Sequence, residues 1–135
     1  MLLRFVFPFL LIITMAACAQ PPYNNIDNEQ LKSMIEQGVP VYDIRRPDEW
    51  KQTGVVKGSR LMTFFDANGN VYADFLPKFS EQIKKDQPVI LICRTGNRTG
   101  MLAKYLVEKL GYTQVYNVKH GITDWIRKGK PVSKI

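Results

Sequence analysis

The sequence has little cysteine and almost no histidine: Cys18, Cys93 and a single His120 in 135 residues. One histidine makes no nitrogen and sulfur metal site, so neither a metal nor another cofactor is expected. No tract of lysine and arginine interleaved with aromatic residues is present, which removes nucleic acid from the expected partners. Internal repeats and low-complexity tracts are missing too, which excludes solenoid and disordered-tail classes. The length is one domain's worth, and 45% hydrophobic with 23% charged residues is the make-up of an ordinary globule. What the chain does have is basic charge, a formal +7, which steers small anions or favours an anionic membrane surface.

Arg4 precedes an apolar run from Phe5 to Ala17 that only Pro8 and Thr14 interrupt. The run is short of the roughly 20 residues that span a bilayer. A basic start, a short apolar stretch and small residues at its end are the marks of an export signal. Met15-Ala16-Ala17-Cys18 resembles the lipobox of bacterial lipoproteins, with Met15 where leucine is usual. That resemblance implies cleavage before Cys18, lipid on Cys18 and attachment to a membrane. Ala19 in place of aspartate implies sorting to the outer membrane. The expected organisation is a signal peptide over 1–17, an extended tether over 18–25 and a folded domain over 26–135. Plain secretion with Cys18 an incidental thiol, or an uncleaved anchor, are the alternatives, and each places the domain in the cell envelope or beyond. Lipid on Cys18 leaves Cys93 without a disulfide partner, and a lone exported thiol is where chemistry is to be sought.

Along the domain, Asp27 with Gln30 three residues on reads as a helix start, with Ile26 stapling to Leu31 and Gly38 ending the helix. Val39 to Ile44 reads as a buried strand, and Pro47 suits the first turn of a short helix. A strand is expected around Leu61-Met62. The Asn68-Gly69 pair signals a tight turn, and Phe75 to Lys84 reads as a helix. Pro88 to Ile92 is a continuous apolar strand of the kind buried on both faces. Leu102, Ala103, Leu106 and Leu110 keep helical spacing from Arg98 onward, with Gly111 placed to terminate. Gln114 to Val118 is a further strand and Thr123 to Lys128 a short helix. Strands alternating with helices give an α/β domain with a mostly parallel central sheet and helices on both faces. Ligands of such sheets gather at the carboxyl ends of the strands. Asp43-Ile44-Arg45, Cys93 to Arg98 and Asn117 to Gly121 are therefore expected to converge on one edge.

Cys93 ends a buried strand and leads into a polar loop containing Gly96, which opens a helix. Successive backbone N–H groups curled about one atom, with the positive end of the next helix behind them, stabilise a sulfur anion. Gly96 supplies the backbone freedom that such a curl needs. This reading requires amides turned toward the sulfur and a sulfur open to solvent. Cys93-Arg94-Thr95-Gly96-Asn97-Arg98 resembles the active-site loop of the rhodanese family. Asp43-Ile44-Arg45-Arg46-Pro47-Asp48-Glu49-Trp50 is similar to that family's Asp-x-Arg-x-x-x-Glu-aromatic signature, and Gly121 with Trp125 to its closing Gly-x-x-x-Trp. The similarity runs over about residues 26–130, and so implies a single rhodanese-like domain. His120 stands where the family usually has a glycine, and Phe64 to Tyr72 looks like an insertion.

The resemblance implies a sulfurtransferase that moves the sulfane sulfur of thiosulfate through a Cys93 persulfide to a thiol or cyanide acceptor. Arg94, Thr95, Gly96, Asn97 and Arg98, with Arg45, are the expected substrate-binding residues. A persulfide carrier, or a non-catalytic module docking on another envelope protein, is the competing function. Related tyrosine and dual-specificity phosphatases place one residue more between cysteine and arginine, and the shorter ring here leaves too little room for a tetrahedral oxyanion. Plainer roles stand beside the functional ones. Arg98 pairs with an acidic neighbour. Asp43, Arg45 and Glu49 have the spacing for local pairing that holds architecture, Arg45 and Glu49 being four apart on a helical turn. Trp50 and Trp125 pack, while His120 and Lys119 sit on the rim.

Overall fold

The computed structural model describes residues 12–13 and 17–135. Nearly all of the expected signal peptide, Met15 and Ala16 included, lies outside the described residues. Among those described, no helix is long and apolar enough to cross a membrane. Ten elements alternate among the described residues: β1 (Asn24–Ile26), α1 (Asn28–Glu36), β2 (Val41–Asp43), α2 (Pro47–Thr53), β3 (Arg60–Leu61), α3 (Phe75–Gln82), β4 (Val89–Ile92), α4 (Asn97–Leu110), β5 (Val115–Val118) and α5 (Gly121–Arg127).

Local chemistry sets most of these boundaries. Asp27 and Gln30 form a reciprocal capping box at the start of α1, satisfying two amides that the first turn leaves without partners. Pro47 occupies the first turn of α2, where its missing N–H costs nothing. Gly111 ends α4 in the left-handed conformation, its N–H returning to the Leu106 carbonyl. Pro40 shortens the strand expected from Val39, so that β2 pairs from Val41 onward.

The five strands form one sheet in the order β1-β5-β4-β2-β3, every pairing parallel. Alternation along the central strand β4 feeds two cores. Ile90 and Ile92 join Leu31, Ile122 and Trp125 under α1 and α5. Val89, Leu91 and Cys93 join Phe75, Phe79, Leu102 and Leu106 under α3 and α4. The residues expected as the last of the tether, Asn24 and Asn25, instead belong to β1, which pairs with β5 in parallel. The Phe64 to Tyr72 segment is a small hairpin bridged between Phe65 and Val71. The Asp66 carboxylate accepts amides of Asn68 and Asn70 across its tip.

A buried charge pair ties the carboxyl end of β2 to α2. The side chains of Asp43 and Arg45 are both 0% exposed and meet at 2.8 Å. Arg45 also donates to the Thr53 hydroxyl and the Gly54 carbonyl, while Asp43 accepts from Trp50 Nε1. Of the expected local pairing, Arg45 closes on Asp43, two residues back in its own chain, while Glu49 pairs with Arg98 instead of Arg45. Asp43→Ala strands a buried guanidinium and is expected to cost about 3 to 5 kcal/mol in urea unfolding.

Candidate active site

The three converging segments meet as the topology requires, because β2, β4 and β5 are neighbours and end on the same edge. Leaving β4, the chain turns through Arg94-Thr95-Gly96 and enters α4, with Gly96 as N-cap at φ +93°. Two glycines let the turn press against the β5 to α5 connection. A Cβ on Gly96 would lie 2.2 Å from the Lys119 carbonyl oxygen, and one on Gly121 2.3 Å from the Arg94 carbonyl oxygen. The Ile122 and Thr123 amides donate to the Cys93 and Arg94 carbonyls, sealing the contact.

Within that turn Cys93 Sγ accepts the Gly96 N–H at 3.2 Å and lies 3.2 Å from Thr99 Oγ1. This corrects the expected ring of main-chain donors: among the described residues, one amide and one hydroxyl are its hydrogen-bond partners. The sulfur is not open either, since Cys93 is 1% exposed. Both departures have one cause. The side chain extends the inward face of β4 into the core beneath α4, beside Leu102 and Ala103, rather than standing in the mouth of the loop.

That mouth is a cavity of about 530 Å³. Arg94, Thr95, Asn97 and Arg98 of the loop and helix start line it together with Phe65, Asp66, Ala67 and Gly69 of the hairpin. The apparent insertion is therefore a wall of the cavity. Arg94 is exposed. Arg98 clasps Glu49 through two hydrogen bonds of 2.8 and 2.7 Å. Burial disfavours the Glu49 charge, yet Arg98 and the Arg46 amide hold its carboxyl down at about 2. Arg45 lies outside this lining, its guanidinium wholly engaged, so the expected contact of Arg45 with substrate is corrected to a structural role. Lys119 and His120 are exposed beyond the cavity lining. Trp50 and Trp125 pack as expected, with their indole N–H groups on Asp43 and the Pro131 carbonyl.

Sequence reasoning missed Thr99, and it placed Asn117 on the converging edge without giving it a role. Thr99 Oγ1 is 2.5 Å from Asn117 Oδ1, and both residues are buried. The available signal was a lone asparagine inside the otherwise apolar and aromatic strand β5.

The family model described as the rhodanese-like domain matches residues 27–128. The chain belongs to the rhodanese-like domain family. A sulfurtransferase of Allochromatium vinosum is 31% identical over 111 residues, covering 81% of this chain and 94% of that protein. The thiosulfate sulfurtransferase GlpE of Tolumonas auensis is 29% identical over 104 residues, covering 76% and 88%. Among solved structures, a Mycobacterium tuberculosis protein superposes with a TM-score of 0.69 at 25% identity, covering 84% of this chain and 99% of that one. A rhodanese-related protein of Thermoplasma volcanium does so at 0.62 and 27%, covering 82% and 98%. Within this rhodanese-like domain the Asp43 to Trp50 signature is architectural: Asp43 and Arg45 pair, Trp50 bonds Asp43, and Glu49 holds Arg98.

Gly96 and Gly38 share a positive φ, at +93° and +84°, but only Gly96 has a close neighbour. Gly38→Ala therefore reports backbone strain alone, of about 1 kcal/mol. Gly96→Ala adds the collision with Lys119 and is expected to unfold at clearly lower urea than Gly38→Ala.

Proposed function

We propose that this rhodanese-like domain is a sulfurtransferase whose Cys93 carries sulfur as a persulfide, with thiosulfate as donor and a thiol or cyanide as acceptor. One observation carries the reading: the only cysteine within the domain's core sits at the carboxyl end of the central strand, its sulfur bonded by the Gly96 amide at the start of α4. Family membership and sulfurtransferase relatives along most of the chain support it. On the residues alone, a sulfur that is 1% exposed weighs against an enzyme; the relatives outweigh it.

The Cys93 thiolate attacks the outer, sulfane sulfur of thiosulfate. An S–S bond forms to Cys93 as the bond to the sulfonate sulfur breaks, and sulfite leaves with the electron pair. The acceptor then attacks the outer sulfur of the persulfide, and Cys93 leaves as thiolate. Splitting one transfer into two displacements is the gain of covalent catalysis. Exposed Arg94 draws the dianion to the loop. The Gly96 N–H, held at the start of α4, stabilises negative charge on Cys93 Sγ at rest. Because the sulfur rests beneath the loop, loading requires it to turn toward the cavity.

A second reading draws on that same burial. A chain whose sulfur is covered at rest suits a persulfide carrier or a binding module, with an envelope protein as the partner that opens the loop. Location is part of the proposal: export through the segment ahead of Cys18, then lipid on Cys18 anchoring the domain to the outer membrane on its periplasmic side. Cys18 is exposed and ahead of the first strand, as a tether needs.

Purified protein is expected to form thiocyanate from thiosulfate and cyanide, and Cys93→Ser to abolish it. Retained activity in that variant overturns the assignment, whereas slow transfer to small acceptors with rapid transfer to one envelope protein selects the carrier. The native N-terminal peptide is expected to begin at Cys18 and to bear acyl chains in its mass spectrum.

A further inference from the structure

The hydrogens around Cys93 can be assigned by counting donors. Asn117 Nδ2 lies 3.3 Å from the Gly96 carbonyl oxygen, which only accepts, and 3.0 Å from Asn25 Oδ1 on β1. The amide nitrogen must therefore face those two oxygens, and Oδ1 must face Thr99. At 2.5 Å from Thr99 Oγ1, that amide oxygen takes the only hydroxyl proton Thr99 has. Thr99 then has none to give the sulfur, so the 3.2 Å contact between Sγ and Oγ1 is a bond from the Cys93 S–H to Thr99. Cys93 Sγ accepts from Gly96 and donates to Thr99, which satisfies a neutral thiol completely.

We propose that Asn117 is a positioning residue that holds the Thr99 hydroxyl turned away from the sulfur and so keeps the resting Cys93 protonated. When Cys93 loses its proton to solvent, the sulfur has nothing to donate. The Thr99 hydroxyl then rotates to donate to the sulfur, and Asn117 Oδ1 gives up its bond. Asn117 thereby opposes the thiolate in the resting protein, and Thr99 stabilises it once formed. The same rotation serves the persulfide, whose inner sulfur also carries no hydrogen. A protonated, covered thiol resists oxidation better than a thiolate, which suits a protein outside the cytoplasm. The inference rests on the proposed role of Cys93 for its purpose only, because the hydrogen-bond pattern stands whether or not sulfur is transferred.

The charged groups around the sulfur stay in place in the variants that test this. Asp43 and Arg45 pair at the end of β2, Arg98 on α4 pairs with Glu49 on α2, and Arg94 and Lys119 are exposed. The readout is the pH dependence of Cys93 alkylation by iodoacetamide in the full chain, resolved from Cys18 by peptide mass spectrometry. Asn117→Val, a residue suited to strand β5, is expected to move the midpoint about one pH unit lower, a roughly tenfold gain in thiolate at neutral pH. In a Thr99→Val background the Asn117 substitution is expected to move nothing, because its effect passes through the hydroxyl. Thr99→Ser keeps the hydroxyl and should keep the midpoint. Should Asn117→Val fail to fold, Asn117→Ala makes the same test. An unchanged or raised midpoint in the Asn117 variant, or an equal shift with and without the Thr99 hydroxyl, overturns the proposal. Loss of thiocyanate formation with the midpoint shifts intact would instead count against the transfer reading alone.

Discussion

The site depends on one close approach, that of the Cys93 loop to the connection between β5 and α5. Main chain meets main chain there, with the Gly96 and Gly121 positions each too near a carbonyl to admit a β-carbon. The contact does three things together. It fixes the left-handed turn at Gly96, it aims the Gly96 amide at the sulfur, and it brings Asn117 within reach of the Gly96 carbonyl. Replacing either glycine would disturb all three, because a β-carbon there would collide with the facing main chain.

The electrostatics of the edge are settled by pairing. Arg45 is spent on Asp43 in the interior and Arg98 on Glu49 beside the cavity. These two clasps hold α2 against the ends of β2 and α4, and they leave Arg94 as the exposed cation of the loop. The net charge of the chain thus says little about the site; what matters is which arginine is left unspent. The Phe65 to Gly69 hairpin shares the cavity lining with Arg94, so a polar loop and a partly aromatic hairpin bound the cavity together.

Much of the architecture was legible where a single residue type has a single use. Asp27 with Gln30, Pro47, Asn68-Gly69 and Gly111 each marked a real boundary, and the apolar run from Val89 to Ile92 identified the central strand. Strand β1 was not legible, because three residues, two of them asparagine, carry no alternation and gain their place only by pairing with β5. The burial of Arg45 was hidden for a similar reason. The spacing of Asp43, Arg45 and Glu49 leaves open which carboxylate Arg45 takes, and the turn after β2 folds it back on Asp43. The cysteine loop was found from its sequence, but its hydrogen bonds were not, since the orientation of Sγ follows from the inward face of β4 and from Thr99, six positions on, which is itself bonded to Asn117 on β5. The polar residue in a strand otherwise made for burial was the trace that remained.

Cys93, covered at rest, is the proposed site of sulfur uptake. Its most direct test is the mass of the Cys93 peptide from protein treated with thiosulfate and digested without reductant. A gain of about 32 Da, one sulfur atom, that cyanide then removes is the predicted result. A Cys93 peptide of unchanged mass, in protein that remains folded, would contradict the account.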